Sequence, residues 1–473
     1  MKIALLDNSG SLFSIAWTIQ EEGHDVLYYT QDNEGSAKKI GSGLVAKTSR
    51  IKDIIDWVPD VAVLYNVPGI TNDLEVHGIP NFGSSFTGKK LEDDRMFGCQ
   101  LVRTLGIGQC SETREFRSIN DARSFIKNSD GSRKKWVFKA QGGSSVDVSS
   151  THVTEDTDHL LEILDFEETL NRAKSFVLQE RVDGIEISIE GWFHYKTGWV
   201  QPINSTLERK RLMNDDKGPM TGCMGSIVWP WPQAQPRLFR QTLFNMTQWL
   251  TKMKDKGPID GNYIIDYKTR QPYFLEFTPR FGWNAFEAIM AGFKGDLGEF
   301  FVNFGRGTGR QMAFTNRFMG AVRIYTPAVE NVPIRAPIRE DPRLFPKDIY
   351  YDEKSKTLKA VGTDVCNGLA VIFEATGVGE SIQEAVTEIY EDVIPEITAS
   401  DIGYRTDIGK YAEDDVELLE KFGYIVEPKE ARLRVSSYKP EPVADIDEIV
   451  HPDNDTPSES QDSSGETDAM DMG

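Results

Sequence analysis

The spacing of apolar residues changes several times along the chain, and each change predicts a different element. "KIALLD" at the start is a continuous apolar run and predicts a buried strand, whereas "SLFSIAWTIQEEG" spaces its apolar residues at helical intervals and stops at glycine. "DVLYYT" and "DVAVLYN" predict two further strands. Strands alternating with amphipathic stretches predict an α/β sheet of the parallel type. Helical spacing returns at Leu91, Met96, Leu101 and Leu105, within "KKLEDDRMFGCQLVRTLGI".

The next segments mix strand patterns with polar residues that could serve chemistry. "KKWVFKAQGGSSVDVSS" predicts a strand with one inward lysine, Lys139, running into the turn Gly142, Gly143, Ser144 and Ser145. Glycine removes the Cβ obstacle and serine adds donors, so this turn suits phosphate oxygens as well as a plain hairpin. In "FVLQERVDGIEISIEGWF" a strand ends at Gln179 and Glu180, passes Val182 and returns after Gly184 to Glu186. Such a hinge offers backbone groups to an adenine edge and a carboxylate to a ribose, or is a hairpin with surface acids. "ERKRLMNDDKGPMTGCMGS" sets Lys210 and Arg211 ahead of a glycine-broken loop, an anion clamp or a solvated basic face.

"NYIIDY" and "PYFLEFT" around "KTRQ" predict a hairpin. An odd loop register would put Asp266 on the same face as Glu276 and Thr278, an oxygen ligand set suited to Mg²⁺. The alternative is an ion pair from Glu276 to Arg280.

Composition narrows the function classes. The 473 residues suit about three domains. A formal charge of −21 argues against a nucleic-acid backbone binder. Much of that charge is local, because residues 440–473 hold no Lys or Arg. That composition predicts a disordered tail, a solubilising extension or a segment that docks a partner. The N-terminus lacks a signal-peptide pattern and no apolar run is long enough for a membrane span, which predicts a cytoplasmic protein without a membrane partner. Cys99, Cys110, Cys223 and Cys366 have no pair spacing and are expected as free thiols. The turn "DNSGS" lacks the three-glycine dinucleotide spacing.

Taken in order, these segments resemble the ATP-grasp ligases, and among them phosphoribosylamine–glycine ligase. "LEDDR" is similar to that family's Leu-Glu-Gly-Ser-Lys, "QERVDGIEIS" to its Glu-Glu-x-x-x-Gly-x-Glu-x-Ser hinge, and "KGPMTGCMGS" to its Gly-Pro-Asn-Thr-Gly-Gly-Met-Gly loop. "LEFTPRFG" resembles its Leu-Glu-Phe-Asn-x-Arg-Phe-Gly strand and "YRTDIG" its C-terminal signature.

The resemblance implies an α/β (α+β overall) ATP-grasp fold. An N-terminal parallel-sheet domain would span 1–88, the ATP-grasp domain 89–310, a small C-terminal α/β domain 311–435 and the acidic tail 440–473. It implies ATP and Mg²⁺ (or Mn²⁺) as cofactors. Arg95, Lys139 and the Gly142, Gly143, Ser144, Ser145 turn would meet the phosphates, Glu180 and Val182 the adenine, and Glu186 the ribose. Lys210, Arg211 and Arg280 are the catalytic candidates, and Asp266, Glu276 and Thr278 the metal ligands, with Thr278 standing where the family has asparagine.

The implied reaction joins a small-molecule carboxylate to an amine, through an acyl phosphate made from ATP. The acceptor contacts depart from the family pattern. Ser11, Leu12 and Phe13 replace Arg-Glu-His, Asn367 to Ala370 replace Gly-Gly-Arg-Val, and Trp283, Asn284 and Ala285 replace Asp-Pro-Glu. The expectation is therefore a ligase with an altered amine acceptor. The alternatives are the family's own reaction in purine biosynthesis and a catalytically silent scaffold that binds nucleotide or a partner.

Overall fold

The computed structural model describes residues 1–31, 36–83, 85–128, 134–141, 151–170, 175–231, 236–309, 311–314, 318–364 and 368–425. The predicted phosphate turn at 142–145 and the acidic tail lie outside the described residues.

Five parallel strands open the chain: β1 (Lys2–Asp7), β2 (Asp25–Tyr29), β3 (Lys47–Thr48), β4 (Val61–Tyr65) and β5 (Asn81–Gly83), in the order β3-β2-β1-β4-β5. β1 shows why its sequence is continuously apolar: Ile3 and Leu5 enter one core while Ala4 and Leu6 enter another. Helix α1 (Phe13–Glu21) ends ahead of Gly23, whose φ of +91° suits glycine. The strand order reverses between β1 and β4, and ligands of open α/β sheets gather at the carboxyl ends of such strands.

The single helical pattern read around Leu91 to Leu105 is two helices, α2 (Phe86–Asp93) and α3 (Arg95–Leu105). Asp94 makes the break. Its backbone is extended and its Oδ1 accepts from the Phe97 N–H at 2.9 Å, an N-cap that starts the second helix at Arg95.

A small antiparallel sheet follows, formed by β6 (Thr113–Phe116), β7 (Trp136–Gln141), β8 (Thr151–Val153) and β9 (Ser175–Glu180), in the order β6-β9-β7-β8. Trp136, Phe138, Phe176 and Leu178 bury one face against Ala122, Ile126, Leu160 and Leu164. Alternation then turns Val137 and Lys139 to the other face.

The remaining strands are β10 (Gly184–His194), β11 (Gly198–Met213), β12 (Lys217–Trp231), β13 (Lys256–Asp266), β14 (Pro272–Thr278), β15 (Phe318–Pro327), β16 (Pro333–Arg335), β17 (Leu344–Pro346), β18 (Ile349–Asp352), β19 (Thr357–Ala360), β20 (Leu369–Gly379) and β21 (Thr398–Ala399). Eight of them form one antiparallel sheet, β14-β13-β10-β11-β12-β15-β20-β17, and four form another, β18-β19-β16-β21. Helix α4 (Ala285–Gly292) is buried on nearly every side and α5 (Leu297–Arg306) on its inner side. Phe82 of β5 meets Trp192 at 5.8 Å and Phe304 at 5.0 Å between ring centroids, so an aromatic cluster fastens the first sheet to the large one. Among the described residues no helix is long and apolar enough to cross a membrane.

Candidate functional site

A cavity of about 930 Å³ opens between the small sheet, the large sheet and the carboxyl ends of β1 and β4. Lys139 enters from the small sheet. Glu186, Lys210, Asp260, Glu276 and Thr278 enter from the large sheet, and Ser9, Ser11 and Tyr65 stand at the first sheet's end.

Glu276 is the electrostatic centre. Its Oε2 accepts from Arg95 Nη1 at 2.9 Å and its Oε1 lies 4.0 Å from Lys210 Nζ. Burial opposes ionisation, but Arg95, Lys210 and Lys139 outweigh it and hold the carboxyl down to about 2. Lys210 donates to Glu186 at 2.5 Å and lies 3.5 Å from Glu208. Burial would discharge this lysine, yet Glu186, Glu208 and Glu276 raise its pKa well above the ordinary value. Lys139, only 8% exposed, has no hydrogen-bond or ion-pair partner among the described residues. Burial, then the Arg95 charge, lowers it to about 7.

The opening of the cavity toward β9 carries Gln179, Glu180, Arg181 and Val182. Glu180 accepts from Lys134 at 2.8 Å. Arg280 is ion-paired with Glu92 at 2.8 Å, not with Glu276. Thus the plain Glu276–Arg280 pair considered from the sequence does not form.

Two predicted residues are not brought to the cavity. Asp266 does share the face of Asp260, Asn262 and Ile264, as period-two alternation requires, but it sits too far along. Glu276 pairs in register with Asn262, four residues earlier, which places Asp266 roughly 13 Å down the strand. There its Oδ1 accepts from the Lys268 N–H at 3.1 Å and the Thr269 N–H at 2.5 Å, closing the turn. Arg211 is the second correction. Neighbouring strand residues face opposite ways, so with Lys210 in the cavity Arg211 turns to the Gly218 carbonyl at 2.8 Å.

Sequence reading missed the polar ladder around Glu276. Asp260 lies opposite Thr278, and the Asn262 amide donates to Asp260 Oδ2 and to Thr278 Oγ1, both at 3.2 Å. Asp260 is 7% exposed and its Oδ1 has no partner among the described residues. Burial, then Glu208, raises its pKa to about 7. Glu190 on β10, paired in register with Asp260, is pushed up to about 8 by burial and by Asp260. The signal was present as alternation: Glu186, Ser188 and Glu190 on one strand, Asp260 and Asn262 on another.

The donor set fits a hard divalent cation beside a polyphosphate. Glu276 is held ionised, the Thr278 hydroxyl is adjacent on the same face, and Lys139 and Arg95 supply positive charge within the same cavity.

Residues 93–284 match the family described as Phosphoribosylglycinamide synthetase, ATP-grasp (A) domain. The chain is 24% identical over 439 residues to the Bifunctional purine biosynthetic protein ADE1 of Schizosaccharomyces pombe, covering 86% of this chain and 53% of that protein. It therefore spans about half the length of that bifunctional relative. It is 22% identical over 452 residues to the phosphoribosylamine–glycine ligase of Thermococcus gammatolerans, covering 90% and 99% of the two chains. Among solved structures, the phosphoribosylamine–glycine ligase of Thermotoga maritima superposes with a TM-score of 0.65 at 19% identity, covering 86% of this chain and all of that one. The biotin carboxylase domain of the Hydrogenobacter thermophilus 2-oxoglutarate carboxylase, solved with MgADP, superposes at 0.59 with 11% identity, over 90% of this chain and 99% of that one. The α/β architecture with a parallel first sheet is that of the ATP-grasp fold.

Proposed function

We propose that this chain, which belongs to the ATP-grasp superfamily and resembles phosphoribosylamine–glycine ligase, is an ATP-dependent carboxylate–amine ligase of the cytoplasm. The observation that carries this reading is the Arg95–Glu276–Lys210 arrangement in one cavity with Lys139, which has no partner among the described residues. In this reading residues 1–88, 89–310 and 311–435 act as the N-terminal, ATP-grasp and C-terminal domains.

Glu180 and Val182 border the adenine, Glu186 takes the ribose hydroxyls, and Arg95 and Lys139 neutralise phosphate oxygens. Glu276 and Thr278 would hold Mg²⁺, which supplies charge neutralisation on the phosphoryl group when bound. Lys210, kept charged by its carboxylate neighbours, stands where negative charge accumulates during transfer. Arg280 lines the same cavity and is the further catalytic candidate of this reading. Phosphorylation converts the carboxylate into an acyl phosphate, and attack by the amine nitrogen on its carbonyl carbon expels phosphate. Exclusion of water during the reaction would limit competing hydrolysis. No protein nucleophile is needed. The amine differs from phosphoribosylamine in this reading.

A coupled assay of ADP release across candidate acids and amines tests it. Release that needs both an acid and an amine other than phosphoribosylamine is the expected result. Release that needs glycine and phosphoribosylamine assigns the chain the reaction its relatives are named for. Nucleotide binding without release under any pair would sink the ligase reading.

A further inference from the structure

Lys210 reaches the cavity from a stretch that its own strand pairing does not hold. Between β11 and β12, Arg209 pairs with Gly225 but Arg211 pairs with Met220, so Lys210 alone stands opposite Thr221, Gly222, Cys223 and Met224. A second register shift separates Arg211 from the next pair, Met213 with Lys217. On its other edge β11 pairs with β10 only as far as Thr206. Register decides which way a strand side chain points, and here it lapses on both sides of Arg211. The hairpin then turns through Asp215 and Asp216, whose φ values of +55° and +49° are left-handed although neither is glycine. That shape needs support from outside the hairpin.

The segment "YRTDIG", residues 404–409, supplies it. Arg405 is fully buried, and each nitrogen of its guanidinium donates. Nε and Nη2 meet the two oxygens of Asp407 at 2.8 and 2.9 Å, while Nη1 meets the Arg211 carbonyl and Asp216 Oδ1, both at 2.9 Å. Asp407 Oδ2 in turn accepts from the Asp215 N–H at 2.8 Å. The Asn214 amide donates to Thr406 Oγ1 at 2.7 Å, and its oxygen accepts from the Thr406 N–H at 3.1 Å. Ile408 packs at the other end of the irregular stretch, where a Cβ on Gly225 would lie 2.4 Å from its Cδ1. The segment therefore grips the hairpin at its tip and at Gly225, on either side of Lys210. Arg405 itself does not line the cavity, whereas Lys210, Met220, Thr221 and Gly222 do.

We propose that Arg405 is a positioning residue: from behind the cavity wall it holds the Arg211 peptide and the hairpin tip so that Lys210 stands at the terminal phosphate of bound ATP. The inference rests on the ligase reading and adds to it a residue that acts through Lys210 without touching substrate. The planar fork of a guanidinium can hold two carboxylates and a carbonyl in fixed directions, which the single ammonium of a lysine cannot. Two further hydrogen bonds complete the frame. The Thr221 hydroxyl donates to the Lys210 carbonyl and the Arg211 guanidinium to the Gly218 carbonyl, each at 2.8 Å.

Calorimetric titration of the full chain with the Mg²⁺ complexes of ADP and of the β,γ-imido analogue of ATP tests this, because only the analogue carries the phosphate that Lys210 would meet. Lys210→Met should lower the ratio of analogue to ADP affinity by about tenfold or more. Arg405→Lys should lower the same ratio by at least about fivefold. In the Lys210→Met background Arg405→Lys should change the ratio by less than about twofold, since it acts through a side chain already removed. Asp216→Ala, at a side chain 48% exposed, takes away one Nη1 acceptor and should lower the ratio by about twofold to threefold. An equal loss of both affinities in Arg405→Lys, an unchanged ratio, or the same loss with and without Lys210 would make Arg405 a packing residue and overturn the proposal. If Arg405→Lys does not fold, Asp216→Ala alone and combined with Lys210→Met decides by the same criteria. An unchanged ratio in Lys210→Met would take Lys210 away from the terminal phosphate and overturn the proposal while nucleotide binding stands. A wild-type chain that binds neither nucleotide would defeat the ligase reading itself.

Discussion

Two clusters of enclosed charge lie on either side of Trp283, and they are built differently. Behind it, Lys347 meets Glu287 at 2.7 Å, Ser14 donates to the same Glu287 oxygen at 2.6 Å, and Arg323 meets Glu374 at 2.7 Å. These groups come from α1, α4, β15, β20 and the turn after β17, so the cluster joins the first sheet to the large sheet. In front of it, Glu276, Arg95 and Lys210 share charges among themselves but leave Lys139 and one Asp260 oxygen unmatched among the described residues. In the sealed cluster behind Trp283 each cation has a fixed carboxylate partner, although Glu287 Oε2 and Glu374 Oε2 have none among the described residues, whereas Lys139 of the open cluster, at the cavity, has no partner among the described residues. Burial of charge therefore does not by itself mark a site, and neither does an unpartnered carboxylate oxygen; a buried cation without a partner at a cavity wall is what separates the two clusters.

Exchanging the key acid of the open cluster gives the largest expected effect. Glu276→Gln should lower ADP release by more than about 100-fold, because the charge that organises Arg95, Lys210 and the cation is gone. Its thermal midpoint should also fall near neutral pH, since the lowered pKa of Glu276 means that the ionised carboxylate stabilises the folded chain. Unaltered turnover in this variant would remove Glu276 from the metal assignment.

The sealed cluster should answer in the opposite way. Lys347→Met leaves Glu287 buried without its cation, at a cost of about 3–5 kcal/mol of stability. The double variant Lys347→Met with Glu287→Met should recover most of that loss, since a matched apolar pair needs no compensation. Thermal unfolding measures both, and nucleotide affinity of the folded protein should stay within about twofold of wild type. A nucleotide affinity that collapsed with Lys347 would join the two clusters into one site.

Glu190 provides a pH-resolved version of the comparison. Burial, then Asp260, lifts its folded-state pKa from 4.5 to about 8, so the folded protein holds a proton that the unfolded chain has released. The associated stability is complete below pH 4.5 and is lost as pH rises through about 8. Glu190→Gln keeps an oxygen to accept from Trp192 and cannot ionise. It should stabilise the empty protein by about 1 kcal/mol or more above about pH 9, and have little effect near pH 4. A variant equally stabilising at both ends would trace the gain to packing.

Legibility of the fold and site followed from how local each determinant is. β1 and β4 could be read directly because both faces of each are buried, so every residue in "IALL" and "VAVL" is apolar. Lys139 was legible as inward because Trp136 and Phe138 claim the core face of the same strand. The break at Asp94 carried a cap signal that the longer helical period obscured. Asp260 was hidden for a different reason: reading the hairpin outward from its turn ranks Asp266 first. The partner of Glu276 depends on strand length and on a register shift between Asn262 and Tyr263, which no residue spacing announces. The placement of Lys210 rather than Arg211 at the cavity is likewise a matter of register, since two adjacent cations look alike until one face is assigned.

The smallest expected effect separates face from reach on that hairpin. Asp266 lies on the cavity-facing side of β13 yet spends its Oδ1 on the Lys268 and Thr269 amides and on the Thr269 hydroxyl at 2.7 Å. Those hydrogen bonds outweigh burial and hold its pKa below 3.8, so its contribution exists above that pH and fades as the solution is acidified through the lowered value. Asp266→Ala should then cost about 1 kcal/mol of stability near neutral pH, less in acid, through loss of the turn contacts. Mn²⁺ affinity measured with bound nucleotide should stay within about twofold of wild type, while Glu276→Gln lowers it by about tenfold or more. An equal fall in both variants would mean that the strand end closes over the cavity when ligand binds, bringing a residue roughly 13 Å away into the cation's reach.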